Sequence, residues 1–269
     1  MRWPAALLAL CLFAAACAGG GGPDRLYIAL GDSLSEGSGA SDPATTAFVP
    51  LVHQGLGEGY QLLNLGHSGD TSRQLIDHGH LDEALARLRG RPAGGGKTDV
   101  RLITLEIGGN DLLNLYFDVV LSGTCPTVTE SLRKDRECVQ PLRRALSDFD
   151  ANLGEILDRL QGAAPGVPLV LMTLYNPFSG GVQAFDELGQ LSLEGLPDTP
   201  FPEGLNDIIR AQAQGRDVIL VDIYPLFQGK AGEYVSSDFI HPNDSGYRVM
   251  ADAVLQGIAR ACPDGLAAC

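Results

Sequence analysis

The feature that most constrains this chain is a series of short apolar runs closed by turn-forming residues: Arg25 to Leu30, Tyr60 to Leu65, Val100 to Ile107, Val167 to Thr173 and Val218 to Asp222. Runs of that length, with little polar alternation, suit strands buried on both faces. Between the third and fourth runs, Leu142, Leu146, Phe149, Leu153, Ile156, Leu157 and Leu160 recur at three to four residues, the spacing of an amphipathic helix. A second helix is expected from Asp244 to Arg260, with Asn243 as its cap. Strands that alternate with helices form crossovers rather than hairpins, so the pattern predicts an α/β domain whose parallel sheet is covered on both faces. Leu112 to Gln140 and Tyr175 to Asn206 break the rhythm, each soon after a strand. Ligands of doubly wound sheets bind beyond the carboxyl ends of the strands, so these insertions are expected to rim a pocket.

Residues 1–22 stand apart. Arg2 supplies a weak positive region, Ala5 to Ala16 is an unbroken apolar stretch, and small residues follow, the plan of an export signal. The stretch is too short for a permanent membrane span. Ala14-Ala15-Ala16-Cys17 resembles a bacterial lipobox, which implies lipidation of Cys17, with Gly19 to Gly22 as a flexible tether. Cleavage near Ala16 or Ala18 without lipid is the alternative. Either way, residues 23–269 are expected to form one domain, exported or held at a bacterial cell surface.

Export bears on the cysteines. Cys11 and Cys17 lie in the signal, leaving Cys125, Cys138, Cys262 and Cys269. These allow three pairings, and an oxidising compartment favours the sequence-local ones, Cys125 with Cys138 and Cys262 with Cys269. No CxxC or His-rich spacing argues for zinc, so no metal is expected. With 33 acidic residues against 19 basic ones the net charge is −14, which repels phosphate backbones and speaks against nucleic acid as a partner.

The first apolar run leads into Gly31-Asp32-Ser33-Leu34-Ser35, which places a serine hydroxyl at the end of a strand. This is not the GxSxG elbow, and no GxGxxG or GxxxxGK[ST] follows the strand. Near the other end stands Asp238-Phe239-Ile240-His241-Pro242-Asn243. A serine hydroxyl needs a neutral imidazole to take its proton and a carboxylate to fix the tautomer, and His241 and Asp238 are of those types. Pro242 biases His241 towards an extended conformation. Attack on an ester creates an oxyanion that preorganised donors must meet. The candidates are the Ser33 N–H, the Gly69 N–H in Gly66-His67-Ser68-Gly69-Asp70-Thr71, and the side-chain amide of Asn110 in Gly108-Gly109-Asn110-Asp111.

In order, GDSLSEG, SGDT, GGND and DFIHPN resemble the four blocks of the SGNH, or GDSL, hydrolase superfamily. The resemblance spans Leu26 to about Ile258. It implies a flavodoxin-like three-layer α/β/α sandwich with a five-stranded parallel sheet. It further implies a triad of Ser33, Asp238 and His241, an oxyanion hole of Ser33, Gly69 and Asn110, and no metal or organic cofactor. The implied activity is that of a serine esterase or lipase acting through an acyl-enzyme on a small-molecule ester or a lipid, lysophospholipid or thioester acyl group. GHSGDTS and LEIGGND are similar to the thioesterase I and lysophospholipase branch, and Leu174-Tyr175-Asn176-Pro177-Phe178 to secreted GDSL lipases. Rival readings are a carbohydrate acetylesterase and, outside enzymes, a non-catalytic surface binding protein. A monomer is expected.

Other polar residues read more plainly. His78 and His80, with no cysteine or carboxylate pair nearby in sequence, read as surface residues, and His67 as a satisfied structural histidine. Asp32, Asp70 and Asp111 read as loop braces, and Asp244 as a helix cap. Leu112 to Leu121, with Phe178, Phe185 and Phe201, lean towards an apolar acyl pocket.

Overall fold

The computed structural model describes residues 25–90, 99–115, 136–266 and 269. The apolar runs become β1 (Arg25–Gly31), β2 (Tyr60–Gly66), β3 (Asp99–Glu106), β4 (Leu169–Met172) and β5 (Ile219–Val221). They pair in parallel in the order β2-β1-β3-β4-β5. The fourth ladder is shorter than its apolar run. Pro168 accepts a hydrogen bond from the Ile103 N–H, but it has no N–H to donate, which limits pairing ahead of Leu169.

Eleven helices are described: α1 (Ser33–Glu36), α2 (Phe48–Gly55), α3 (Ser72–Asp77), α4 (His80–Leu88), α5 (Gly109–Leu115), α6 (Arg136–Ala163), α7 (Gln183–Glu194), α8 (Leu205–Ala213), α9 (Tyr224–Phe227), α10 (Ala231–Tyr234) and α11 (Asp244–Ala261). Alternate residues of one strand feed opposite cores, as the period of two requires. Leu26, Ile28 and Leu30 join Ile76, Leu81, Phe149, Leu153 and Leu205 from α3, α4, α6 and α8. Tyr27 and Ala29 join Phe48, Val52, Tyr247, Met250 and Val254 from α2 and α11. The result is the expected three-layer α/β/α architecture, with two cores divided by one sheet.

Two boundaries differ from expectation. The stretch 112–140 is not wholly irregular, because α5 continues to Leu115 and α6 begins at Arg136, with Pro141 inside it. The stretch 175–206 contains α7, which packs Leu191 against Val139, Leu142 and Phe201 as a third, smaller core. Among the described residues no helix is long and apolar enough to cross a membrane. The signal and Cys17 lie outside the described residues, as does Cys125 and with it the expected Cys125–Cys138 bridge. The Cys262–Cys269 disulfide is formed.

Candidate active site

The sheet order reverses direction around β1, and the loops after β1, β2 and β3 leave the sheet side by side. Gly31 is level with Gly66 on one neighbour and with Glu106 on the other. This is the topological switch point where open α/β sheets bind ligands. Gly31 has φ +156°, and a Cβ there would lie 2.2 Å from the Glu106 carbonyl oxygen and 2.3 Å from Ser35 Oγ. A side chain would therefore displace either β3 or the turn. Asp32 stops the strand: its Oδ1 accepts the Leu34 N–H at 3.0 Å, which caps α1 and puts Ser33 at its first residue. Ser33 is nearly buried, with 8% of its surface exposed.

The segment before α11 brings its imidazole to that hydroxyl. His241 Nε2 lies 2.9 Å from Ser33 Oγ, and His241 Nδ1 lies 2.7 Å from Asp238 Oδ2. A carboxylate at Nδ1 holds the proton on that nitrogen and leaves Nε2 as the acceptor for the serine hydroxyl. The other carboxylate oxygen, Oδ1, accepts the Ser236 hydroxyl at 2.8 Å and the N–H groups of Ile240 and His241 at 2.9 Å each. Burial alone would raise the Asp238 pKa, but the hydrogen bonds from Ile240, the His241 ring and backbone, and Ser236 outweigh it and bring it down to about 2. Asp238 is thus anionic at any neutral pH. The loop is braced on both sides of the ring: the Tyr175 hydroxyl donates to the Ile240 carbonyl at 2.5 Å, and the Ser236 N–H to the His241 carbonyl at 2.8 Å. Pro242 is extended enough to bridge Val235, and Asn243 caps α11 by accepting the N–H groups of Ser245 and Gly246.

Ser33, Gly69 and Asn110 lie on the neighbouring loops that follow β1, β2 and β3. Among the described residues, the N–H groups of Ser33 and Gly69 donate to no protein acceptor. Gly69 has φ +86°, yet a Cβ there would meet nothing within 4 Å, so its backbone conformation rather than crowding calls for glycine. The Asn110 side chain is held by a 3.0 Å hydrogen bond from Nδ2 to the Asp70 carbonyl, while its contact with Asp32 Oδ2 is long at 3.4 Å. One amide hydrogen is therefore anchored and the other only weakly engaged.

Beneath these loops lies a feature the sequence concealed. Asp32 and Glu106 are both buried, and Glu106 forms no well-made hydrogen bond through either carboxyl oxygen. Burial, then the repulsion of the Asp32 carboxylate, pushes the Glu106 pKa well above its ordinary value, and burial also raises that of Asp32. Glu106 is thus a buried acid beneath the serine turn that holds its proton more tightly than an ordinary glutamate. It closes an apolar run, and nothing in its spacing marks it as polar-facing.

His67 and His78 lie at the surface, His80 is half-buried, and His67 is hydrogen-bonded, but the three histidines do have a carboxylate beside them. Asp70 is buried, and its Oδ1 lies 3.0 Å from His67 Nδ1 and 2.9 Å from His78 Nδ1, while His80 Nε2 stands 3.7 Å from Oδ2. The carboxylate absent from the local sequence of His78 and His80 is supplied from eight residues upstream, because α3 is short and returns the chain to the loop after β2. Asp70 is therefore a hub rather than a simple brace. Asp111 does brace, accepting the Ser72 N–H and hydroxyl. Asp244 does not orient His241: it accepts from the Ser41 N–H and hydroxyl and from the Thr46 hydroxyl, tying α11 to the loop before α2. Phe201 is 3% exposed and packs α7 onto α6, whereas Phe178 and Phe185 pair with ring centroids 5.6 Å apart, Phe185 remaining exposed.

Comparison with known proteins agrees with this architecture. The model of the GDSL-like lipase/acylhydrolase family matches residues 29–249. The uncharacterized protein YpmR of Bacillus subtilis is 23% identical over 235 residues, covering 86% of this chain and 80% of its own. The spore germination lipase LipC of Bacillus licheniformis is 26% identical over 230 residues, covering 84% and 92% respectively. Among solved structures, the lipase Lip_vut3 from a goat rumen metagenome superposes with a TM-score of 0.62 at 21% identity, covering 87% of this chain and 97% of that one.

Proposed function

The chain belongs to the GDSL-like lipase/acylhydrolase family, and from that premise we propose that it hydrolyses carboxylic esters with Ser33 as nucleophile, His241 as general base and Asp238 as the orienting acid. The observation that carries this reading is the relay of two hydrogen bonds, 2.9 Å from Ser33 Oγ to His241 Nε2 and 2.7 Å from His241 Nδ1 to Asp238. As Ser33 Oγ bonds to the acyl carbon, Nε2 takes its proton, and the anionic Asp238 stabilises the imidazolium. The carbonyl oxygen becomes an oxyanion that accepts from the Ser33 N–H, the Gly69 N–H and Asn110 Nδ2. His241 returns the proton to the leaving alkoxide, which departs as the alcohol and leaves an acyl ester on Ser33. Water, deprotonated by His241, attacks that ester, and collapse releases the acid and restores the serine hydroxyl.

Within this chemistry the acyl group is read as a lipid, lysophospholipid or thioester acyl chain. Support comes from the relatives named as lipases and from the exposed apolar side chains Val182 and Phe185 in the segment after β4. The protein is read as an exported monomer, tethered to a membrane if Cys17 is lipidated. The apolar segment Ala5 to Ala16 and the Cys262–Cys269 disulfide support export.

The test is hydrolysis of p-nitrophenyl acetate, butyrate, octanoate and palmitate by the purified protein beside Ser33→Ala. Turnover that disappears in the variant, with an optimum at the longer chains, is expected. Activity confined to acetate would point instead to acetyl groups on carbohydrate. Turnover retained in Ser33→Ala would remove the serine assignment, and failure of a fluorophosphonate to label Ser33 would favour a binding role.

A further inference from the structure

We infer that His67, Asp70, His78 and His80 form a binding site for a divalent transition cation, zinc foremost, beside the candidate active site and independent of its chemistry. Three imidazoles and one carboxylate converge from the loop before α3 and from the turn between α3 and the first residue of α4, and their potential ligand atoms all lie within 4.8 Å of one another. The His67 and His80 rings stack at 5.1 Å, and His78 stands edge-on to both. Nitrogen and carboxylate donors in a set of four are what tetrahedral zinc takes, and zinc bonds of about 2.0 Å put the donors about 3.3 Å apart. The half-exposed rings of His67 and His78 are free to close that difference by small rotations.

Asp70 shows why a hydrogen-bonded cluster is an incomplete account. Its side chain is 2% exposed, its Oδ1 is shared by two imidazole nitrogens, and its Oδ2 has no hydrogen-bond partner while it faces His80 at 3.7 Å. A buried carboxylate oxygen without a donor is costly. A cation held between that oxygen and the three imidazoles satisfies it. With four protein ligands the site is closed, which makes it structural rather than catalytic.

Its position gives it a consequence. Asp70 follows Gly69, and its carbonyl anchors the Asn110 amide at 3.0 Å. A cation that fixes Asp70 and His67 fixes the loop between β2 and α3 on which the Gly69 N–H is carried. The metal thus acts through the loop and does not touch the reacting ester.

The experiment is zinc binding by the full chain, purified without a polyhistidine tag. Elemental analysis after dialysis and a titration with zinc against a competing chelator are run on wild type, Ser33→Ala and His78→Gln/His80→Gln. One zinc per chain is expected in wild type and equally in Ser33→Ala, which separates this inference from the esterase reading. The double variant should bind zinc more than about a hundredfold more weakly, since loss of even an outer-shell partner costs 10- to 100-fold. Chelator should lower the melting temperature of wild type and leave that of the double variant unmoved. Zinc absent from wild type, or retained at full stoichiometry by the double variant, overturns the site. Should the double variant not fold, cobalt(II) added to wild type decides: a visible band of four-coordinate cobalt, bleached by zinc, supports the site, and a weak six-coordinate spectrum rejects it.

Discussion

At the scale of single residues, the carboxylate of Asp238 and the amide of Asn110 make separable predictions. Asp238→Asn keeps the shape of the side chain but can present an N–H to His241 Nδ1, which moves the ring proton to Nε2 and deprives Ser33 of its acceptor. Turnover is expected to fall by roughly 10³- to 10⁴-fold, with substrate binding little altered, as a steady-state comparison of kcat and KM would show. In the proposed mechanism Asn110 supplies a donor used only once the oxyanion forms, so Asn110→Ala should lower kcat on the order of a hundredfold or more. A larger change in KM than in kcat would place Asn110 in ground-state binding instead. Ser33, Asp238 and His241 were legible because each sits in a short block whose turn residues reveal its place: Gly31 ends a strand, and Pro242 and Asn243 announce α11. The Asp70 cluster was not legible, because its ligands are separated in sequence by Ser72–Asp77 and meet only when that helix turns the chain back.

At the scale of elements, β3 was legible as a buried strand and its last residue was not legible as an acid under strain. Glu106 holds its proton in the folded chain at a pH where an unfolded glutamate has released it. Folded-state pKa values raised in this way make stability fall as the pH climbs from about 4.3, the unfolded value, through the folded one. The slope reaches about 1.4 kcal/mol per pH unit for one proton. Glu106→Gln cannot ionise, so it should flatten this loss and melt at a higher temperature than wild type on the alkaline side, while the two converge near pH 4. Melting curves across pH would reveal it, and parallel profiles would show that Glu106 is already charged. The other elements differ in how plainly they were written. The strands fall within a residue or two of their apolar runs: β1, β3 and β4 are buried on both faces, while the edge strands β2 and β5, only partly buried, keep the same apolar composition. Helix α7 was hidden in a Gly- and Pro-rich stretch, since Gly189 sits mid-helix for a packing reason: a Cβ there would lie 2.1 Å from the Asn176 side-chain oxygen. Helix α6 begins before the apolar spacing that starts at Leu142, and Val139 in its first turn already packs with Leu191 and Phe201 in the third core.

At the scale of the whole molecule, two cores share one sheet, and the second is closed by the last helix of the chain. Tyr247, Met250, Val254 and Ile258 of α11 pack on the face opposite α6, and the helix starts three residues after His241, so its seating also positions the imidazole. The Cys262–Cys269 disulfide folds the terminus back over that core and keeps Leu266 at 8% exposure. Closing a loop with a sequence separation of 7 removes chain entropy from the unfolded state worth about 2.5 kcal/mol in the loop-entropy account. For a domain of this size that corresponds to roughly 5 to 10 °C in Tm. Cys262→Ser/Cys269→Ser should therefore melt lower by that amount, measured under oxidising conditions so that other cysteines keep their state. A Tm equal to that of wild type would mean that Leu266 and its neighbours dock without the bridge, and that α11 is held by its apolar face alone. The expected drop would instead make the C-terminal clamp part of what holds α11 on its core.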